Sequence, residues 1–183
     1  MIEFYSHPYK IRMPMIQKRI NLPQRYLVGI TVQTSNSCEM NPETAKIMPT
    51  IERYTQEKIA ERIPNRLHPG VMFCAYTHYE TDESGLYTYF VGEEVTCLPE
   101  TLTSELTALI GAAGPYMKFT EGPGPMPTIV ISLWQKIWAM EEKILGGKRA
   151  FATDFEVYDH RARDPKNTTF DLFVGLKSED KES

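Results

Sequence analysis

The amino-acid sequence contains an internal repeat, and this repeat limits the possible folds more than any other feature. The segment Met48-Pro-Thr-Ile51 recurs as Met126-Pro-Thr-Ile129, and apolar residues at helical spacing follow each copy. Later in each half, Tyr89-Phe-Val-Gly92 corresponds to Leu172-Phe-Val-Gly175 within an apolar run that is typical of a β-strand. The pattern predicts that each half forms a strand, a helix and two further strands.

Two such units are expected to pack against each other, because one helix cannot cover the whole sheet of its own unit. The predicted fold is α+β, a tandem repeat of two β-α-β-β units with pseudo-twofold symmetry, antiparallel sheets and two main helices around a central ligand groove. At 183 residues the chain fits one domain over residues 1–177, with one half at about 24–97 and the other at about 104–177. Residues 178–183 are predicted to be a disordered tail.

The boundaries of the elements are predicted from hydrophobic spacing and from the positions of proline and glycine. The first helix is predicted to start at Pro49 and end at Ile63, and the second to run from Met126 to Leu145, ahead of a glycine pair. Residues 1–24 are predicted to form an irregular arm that could include one short strand. Strands are predicted at residues 25–34, 71–80, 86–95, 105–110, 116–120, 150–158 and 170–176.

Composition and charge exclude several classes of function. The formal net charge is −4 and the basic residues are scattered, so the chain lacks the concentrated positive patch that nucleic-acid binding needs. Three dispersed cysteines and no recognisable signal peptide predict a cytoplasmic protein, and no apolar run is long enough to span a membrane. No residue spacing is typical of a metal or phosphate site, so no metal and no cofactor are predicted.

A glutamate between aromatic residues is the first indication of a binding site. Alternation along the predicted strand places Asp154, Glu156 and Tyr158 on one face, and Phe155 and Val157 on the other. We expect the apolar pair to pack under the second helix, and the glutamate to face a ligand or the other half of the protein. A carboxylate in aromatic surroundings is unfavourable unless a partner offsets its charge.

Several aromatic residues are candidates for the wall of the same site. Trp134 and Trp138 lie one helical turn apart, and three tyrosines come from strands that should border the groove. Each aromatic side chain could instead belong to the core, and Glu156 could pair with a nearby lysine or arginine. The candidate ligand-binding residues are Glu156, Trp134, Trp138, Tyr76, Tyr89, Tyr116 and Tyr158.

Six short motifs in a fixed order resemble the GyrI-like effector-binding domains, which also occur as the drug-sensing module of AraC-type and MerR-type (BmrR-like) regulators. Within that group the chain is most similar to stand-alone, integron-associated effector-binding proteins. The motifs are Tyr26-Leu-Val-Gly-Ile30, Tyr87-Thr-Tyr-Phe-Val-Gly92, Ala113-Gly-Pro-Tyr116, Leu133-Trp-Gln-Lys-Ile-Trp138, Asp154-Phe-Glu-Val-Tyr158 and Asp171-Leu-Phe-Val174. The resemblance implies a pocket between the halves for amphipathic, often cationic aromatic compounds, and implies that Glu156 reaches that pocket.

The sequence therefore predicts a multidrug-type small-molecule-binding protein that sequesters compounds or acts in transcription regulation. No helix-turn-helix segment is recognised, so regulation would need a protein partner, and a homodimer is also open. The alternative is a hydrolase of reactive aromatic natural products, with Glu156 as general base and Tyr158 as acid. Nothing in the sequence singles out catalysis, so binding without turnover is the preferred interpretation.

Overall fold

The computed structural model describes residues 15–178, which form an antiparallel sheet with helices on one side. Its strands are β1 (Ile16–Leu22), β2 (Arg25–Ser35), β3 (Met72–Thr77), β4 (Leu86–Glu94), β5 (Thr107–Gly111), β6 (Gly114–Gly124), β7 (Thr153–Tyr158) and β8 (Thr168–Gly175). Its helices are α1 (Asn36–Glu39), α2 (Ile47–Gln56), α3 (Ile59–Arg62), α4 (Thr128–Trp138) and α5 (Glu142–Leu145), with a short 3₁₀ helix at His160–Ala162. No helix among the described residues is long and apolar enough to cross a membrane.

The order of the strands confirms the predicted tandem repeat. The eight strands form one continuous sheet in the order β1-β6-β8-β7-β3-β4-β2-β5. Strands β2, β4 and β3 of the first half therefore appear in the reverse order of their counterparts β6, β8 and β7. The halves join where β3 pairs with β7, and Cys74 lies opposite Glu156 in this central pair. A pseudo-twofold axis between β3 and β7 relates the two units.

The faces of the sheet carry two separate apolar clusters. The larger cluster lies under α2 and α4 and includes Leu133 and Leu172. The second cluster lies on the opposite face, where Phe155 stacks on Phe173 with ring centroids 4.7 Å apart. The prediction that Phe155 and Val157 pack under the second helix is therefore wrong. The helices cover the face that carries Glu156, because α4 supplies a hydrogen-bond donor to that carboxylate.

Both ends of each predicted helix differ from the observed boundaries. The first helix begins at Ile47, and Pro49 lies in its first turn, where its missing N–H is tolerated. This helix ends at Gln56, because Lys58 adopts a left-handed conformation with φ of 51° before α3 begins. The second helix begins at Thr128 rather than Met126 and ends at Trp138. The separate turn α5 follows, and it ends at Gly146 in the left-handed region, which is the stop that the glycine pair predicted for one continuous helix.

The largest differences in strand length are at β3 and β7, which are shorter than predicted, and at β6, which is longer. Strand β3 ends at Thr77 and β7 begins at Thr153, because His78 and Phe151 have positive φ angles that a strand cannot accommodate. Strand β6 continues past Thr120 to Gly124, with a register shift near its end. The possible first strand is observed as β1, whereas residues 1–14 and 179–183, with most of the predicted tail, lie outside the described residues.

Candidate ligand-binding site

Glu156 lies on β7 at the centre of the sheet, and only 2% of its surface is exposed. Its Oε1 atom accepts hydrogen bonds from the Trp134 indole Nε1 at 2.7 Å and from the Tyr76 hydroxyl at 2.9 Å. Its Oε2 atom accepts a hydrogen bond from the Tyr158 hydroxyl at 2.7 Å. The two halves of the chain thus hold this carboxylate jointly, through α4, β3 and β7.

No cationic side chain within residues 15–178 pairs with Glu156, and its three partners are neutral donors. The alternative that a lysine or arginine neutralises Glu156 therefore has no support among these residues. Burial raises the pKa of Glu156 above its ordinary value, and the hydrogen bonds from Trp134, Tyr158 and Tyr76 oppose that increase. Among the residues that the structure describes, this buried carboxylate is contacted by neutral hydrogen-bond donors and by no cation.

Aromatic rings surround the carboxylate. Tyr76 lies edge-on to Trp134 at 5.0 Å and to Tyr89 at 5.4 Å, measured between ring centroids. Trp138 stacks on Trp134 at 6.2 Å and is 41% exposed. Burial, reinforced by the charge of Glu156, raises the pKa of Tyr76 and Tyr158 well above that of free tyrosine, so both phenols remain protonated donors.

A cavity of about 170 Å³ lies next to this cluster, between α2 and the start of α4. Both copies of the repeated segment contribute to its wall, through Met48 and Met126. Tyr158 connects the cavity to the buried carboxylate, because it lines the former and donates a hydrogen bond to the latter. The lining residues are Met48, Ile51, Met72, Cys74, Met126, Tyr158, Ala162, Pro165 and Thr168.

The structure brings most of the candidate residues together. Trp134, Tyr76 and Tyr158 contact Glu156 directly, whereas Tyr89 and Trp138 form an outer layer of rings against Tyr76 and Trp134.

The position of Tyr116 is a correction, because this residue lies on the opposite face of the sheet. Its ring packs edge-on against Phe155 at 5.6 Å and its hydroxyl donates to the Ala112 carbonyl. On the same strand, Met117 and Phe119 belong to the cluster under the helices. Tyr116 therefore does not border the cavity.

Two features of the site were not found from the sequence. The first is the sulfur-rich cavity wall, for which the recurrence of Met48 at Met126 was an available signal. The second is Arg149, whose Nη2 lies 2.7 Å from the Oδ2 atom of the fully buried Asp154. Arg149 comes from an irregular segment without helical or strand periodicity, so no spacing in the sequence indicates its position.

A buried carboxylate therefore lies among aromatic rings where two β-α-β-β units meet, and it has no cationic partner within residues 15–178. This arrangement is the one that the sequence resemblance implies for an effector-binding domain. The family model of integron-associated effector-binding proteins matches residues 20–176 of the chain. This protein belongs to that family, which confirms the resemblance found in the sequence.

Similar proteins agree with this assignment. The "Putative transcriptional regulator protein YobU" of Bacillus subtilis (strain 168) is 26% identical over 157 residues, which cover 86% of this chain and 95% of YobU. The integron cassette protein VCH_CASS2 of Vibrio cholerae is 26% identical, with a TM-score of 0.67 over 88% of this chain and 95% of its own. SAV2435, solved bound to tetraphenylphosphonium, is 17% identical, with a TM-score of 0.66 over 89% of this chain and 94% of its own.

Proposed function

We propose that this protein binds an amphipathic, aromatic organic cation between its two halves, with Glu156 as the counter-ion. The observation that carries the proposal is the environment of Glu156, which has three neutral hydrogen-bond donors and no cationic partner among the described residues. A buried charge without a counter-ion is strongly unfavourable. A bound cation would remove this cost, which gives the site a preference for positive charge.

The aromatic rings and the cavity support the same class of ligand. Each ring face placed over a cation adds about 0.5–2 kcal/mol of attraction, and Trp134 and Tyr76 already contact the carboxylate. The methionine side chains of the cavity suit aromatic groups, because thioethers are polarizable and pack well against rings. SAV2435, which has the same fold, was solved with tetraphenylphosphonium, a cation that carries four aromatic rings.

The cavity has to widen when such a ligand binds. Its volume of about 170 Å³ is below the roughly 300 Å³ at which pockets for drug-sized molecules begin. Tyr158 lies between the cavity and Glu156, so we infer that its hydroxyl leaves Oε2 as the cation arrives. The charge of the ligand would then replace a hydrogen bond from Tyr158.

Calorimetric titration of Glu156→Gln tests the proposal. We expect the variant to bind tetraphenylphosphonium at least tenfold more weakly than the wild type, because the counter-ion is lost. Binding of the uncharged analogue triphenylphosphine oxide should change little. Glu93→Gln is a matched control, because Glu93 is equally buried but lies 3.6 Å from its own partner, Arg66. Equal loss for both ligands would mean that Glu156 has only a structural role.

The biological role that we propose is that of an effector-binding protein that regulates transcription through a protein partner, or that sequesters toxic compounds. The name of YobU motivates the regulatory role. The raised pKa of Glu156 keeps a hydrolase as the second candidate, because a general base works best when its pKa lies near the ambient pH. The mass of the ligand recovered after incubation distinguishes binding from turnover.

A further inference from the structure

Two buried carboxylates lie side by side on the face of β7 under α4. Asp154 and Glu156 are 0% and 2% exposed, and they point to the same face because they are two residues apart on one strand. The rise of an extended chain separates such positions by about 7 Å. The two carboxylates differ in the charge of the side chains that contact them.

Asp154 has a cationic partner within residues 15–178, whereas Glu156 has none in that part of the chain. Nη2 of Arg149 lies 2.7 Å from Oδ2 of Asp154, and the Tyr79 hydroxyl donates to the same oxygen at 2.8 Å. The backbone N–H of Gly175 donates to Oδ1 at 2.8 Å. The charge of Asp154 is therefore fully compensated within the chain.

The guanidinium of Arg149 also lies over two aromatic rings. Its Cζ atom is 4.2 Å from the ring centroid of Phe151 and 5.8 Å from that of Trp134, both within the range of cation–π attraction. Trp134 is the same residue whose indole donates to Glu156. The arrangement at Asp154 thus already contains what we propose for a ligand at Glu156, namely a cation between a carboxylate and aromatic faces.

The polar atoms of Arg149 are less fully hydrogen-bonded than those of Asp154. Its second ion pair, to Glu83, is longer at 3.4 Å, and its buried Nε atom has no hydrogen-bond partner among the described residues. Its side chain comes from a segment outside the named strands, just before Phe151, whose φ is 50°. Arg149 fills this position as a side chain inserted from a loop.

We propose that Arg149 is a specificity-determining residue that occupies a second cation subsite at Asp154. Because the guanidinium of Arg149 already fills this subsite, the protein binds ligands with one positive charge. A second positive charge on a compact ligand does not increase the affinity. This inference rests on the proposed function of Glu156. Without Arg149, Asp154 and Glu156 would form a site with two carboxylates, which would prefer dications.

Calorimetry with two matched ligands tests the subsite. Methyl viologen is a compact aromatic dication, and N-methyl-phenylpyridinium has nearly the same shape with one charge. In Arg149→Met we expect the affinity ratio of dication to monocation to rise about tenfold over the wild type, because Asp154 gains a free charge. The added substitution Asp154→Asn should remove this gain, and Arg149→Lys should keep the ratio of the wild type.

A control separates the local effect from the change in net charge. Arg25→Met removes a partly buried arginine that pairs with Glu94 at 2.6 Å and has no ring under it among the described cation–π contacts. It should leave the affinity ratio unchanged. If Arg149→Met leaves the ratio unchanged, or shifts it no more than Arg25→Met does, the second subsite is refuted. If the wild type binds neither cation, both the proposed function and the second subsite are refuted.

The unpaired Asp154 could destabilise Arg149→Met, so a second measurement tests the subsite through stability. This measurement does not depend on ligand binding at Glu156. Millimolar methylguanidinium should raise the thermal midpoint of Arg149→Ala by occupying the position of the lost side chain. The same addition should have no effect on Arg149→Ala/Asp154→Asn or on the wild type. Absence of this selective rescue would mean that the position is not a cation subsite.

Discussion

At the scale of single residues, the burial of Glu156 couples the stability of the protein to pH. The pKa of Glu156 is raised in the folded state, whereas in the unfolded chain it has the ordinary value of about 4.5. As the pH rises through that ordinary value, the unfolded state releases the proton while the folded state still holds it. The folded state then binds more protons than the unfolded state, so stability falls with increasing pH until the raised pKa is passed.

Glu156→Gln should remove this contribution. We expect the free energy of unfolding of the variant, minus that of the wild type, to increase as the pH rises from about 4 towards the raised pKa. Urea unfolding at a series of pH values measures this difference. Other titrating groups, including the buried Glu93, are present in both proteins and cancel to first order. A difference that does not vary with pH would contradict the raised pKa.

At the scale of the elements, the first turn of α2 depends on a carboxylate from outside the helix. Glu39, at the end of α1, accepts hydrogen bonds from the backbone N–H groups of Lys46 at 2.9 Å and Ile47 at 3.2 Å. The N-cap residue Lys46 makes no capping hydrogen bond with its own side chain. The charge of Glu39 also interacts favourably with the positive end of the helix dipole. Met48 and Ile51, which line the cavity, lie in the part of the helix that this contact holds.

Glu39→Ala should therefore destabilise the protein by about 1 kcal/mol, the usual effect of removing a helix cap. Urea unfolding measures the loss of stability. Glu43→Ala is the matched control, because Glu43 is exposed in the adjacent turn and none of the observed side-chain hydrogen bonds involves its carboxylate. Equal stability of the two variants would show that Glu39 does not cap the helix.

At the scale of the whole molecule, the two halves share their main interactions. The pairing of β3 with β7 joins them through the backbone, and both apolar clusters take residues from both halves. Glu156 itself receives hydrogen bonds from β3 of the first half and from α4 of the second. A half that separated would expose the central strand edge and a buried carboxylate, so neither half is expected to be stable alone.

The protein should consequently unfold in one cooperative transition. The tryptophans, Trp134 and Trp138, lie in α4 and report on the second half, whereas far-ultraviolet circular dichroism reports on both halves. We expect the two signals to give the same midpoint in urea, and tetraphenylphosphonium to shift both midpoints equally. Separate midpoints would show that the halves fold independently.

The sequence alone determined the tandem arrangement and the composition of each strand face. The repeat of Met48-Pro-Thr-Ile51 predicted two related units, and alternation correctly placed Asp154, Glu156 and Tyr158 on one face of β7. These conclusions could be drawn because periodicity and repetition depend on neighbours along the chain.

Tertiary structure alone decided which face of the sheet the helices cover, and therefore that Phe155 and Tyr116 lie away from the site. Alternation fixes which residues share a face, but the choice of the covered face depends on contacts with α4, which is distant in sequence. The cap from Glu39 and the ion pair of Arg149 with Asp154 also join residues across irregular segments. Such segments have no period, so their side chains find partners only when the whole chain has folded.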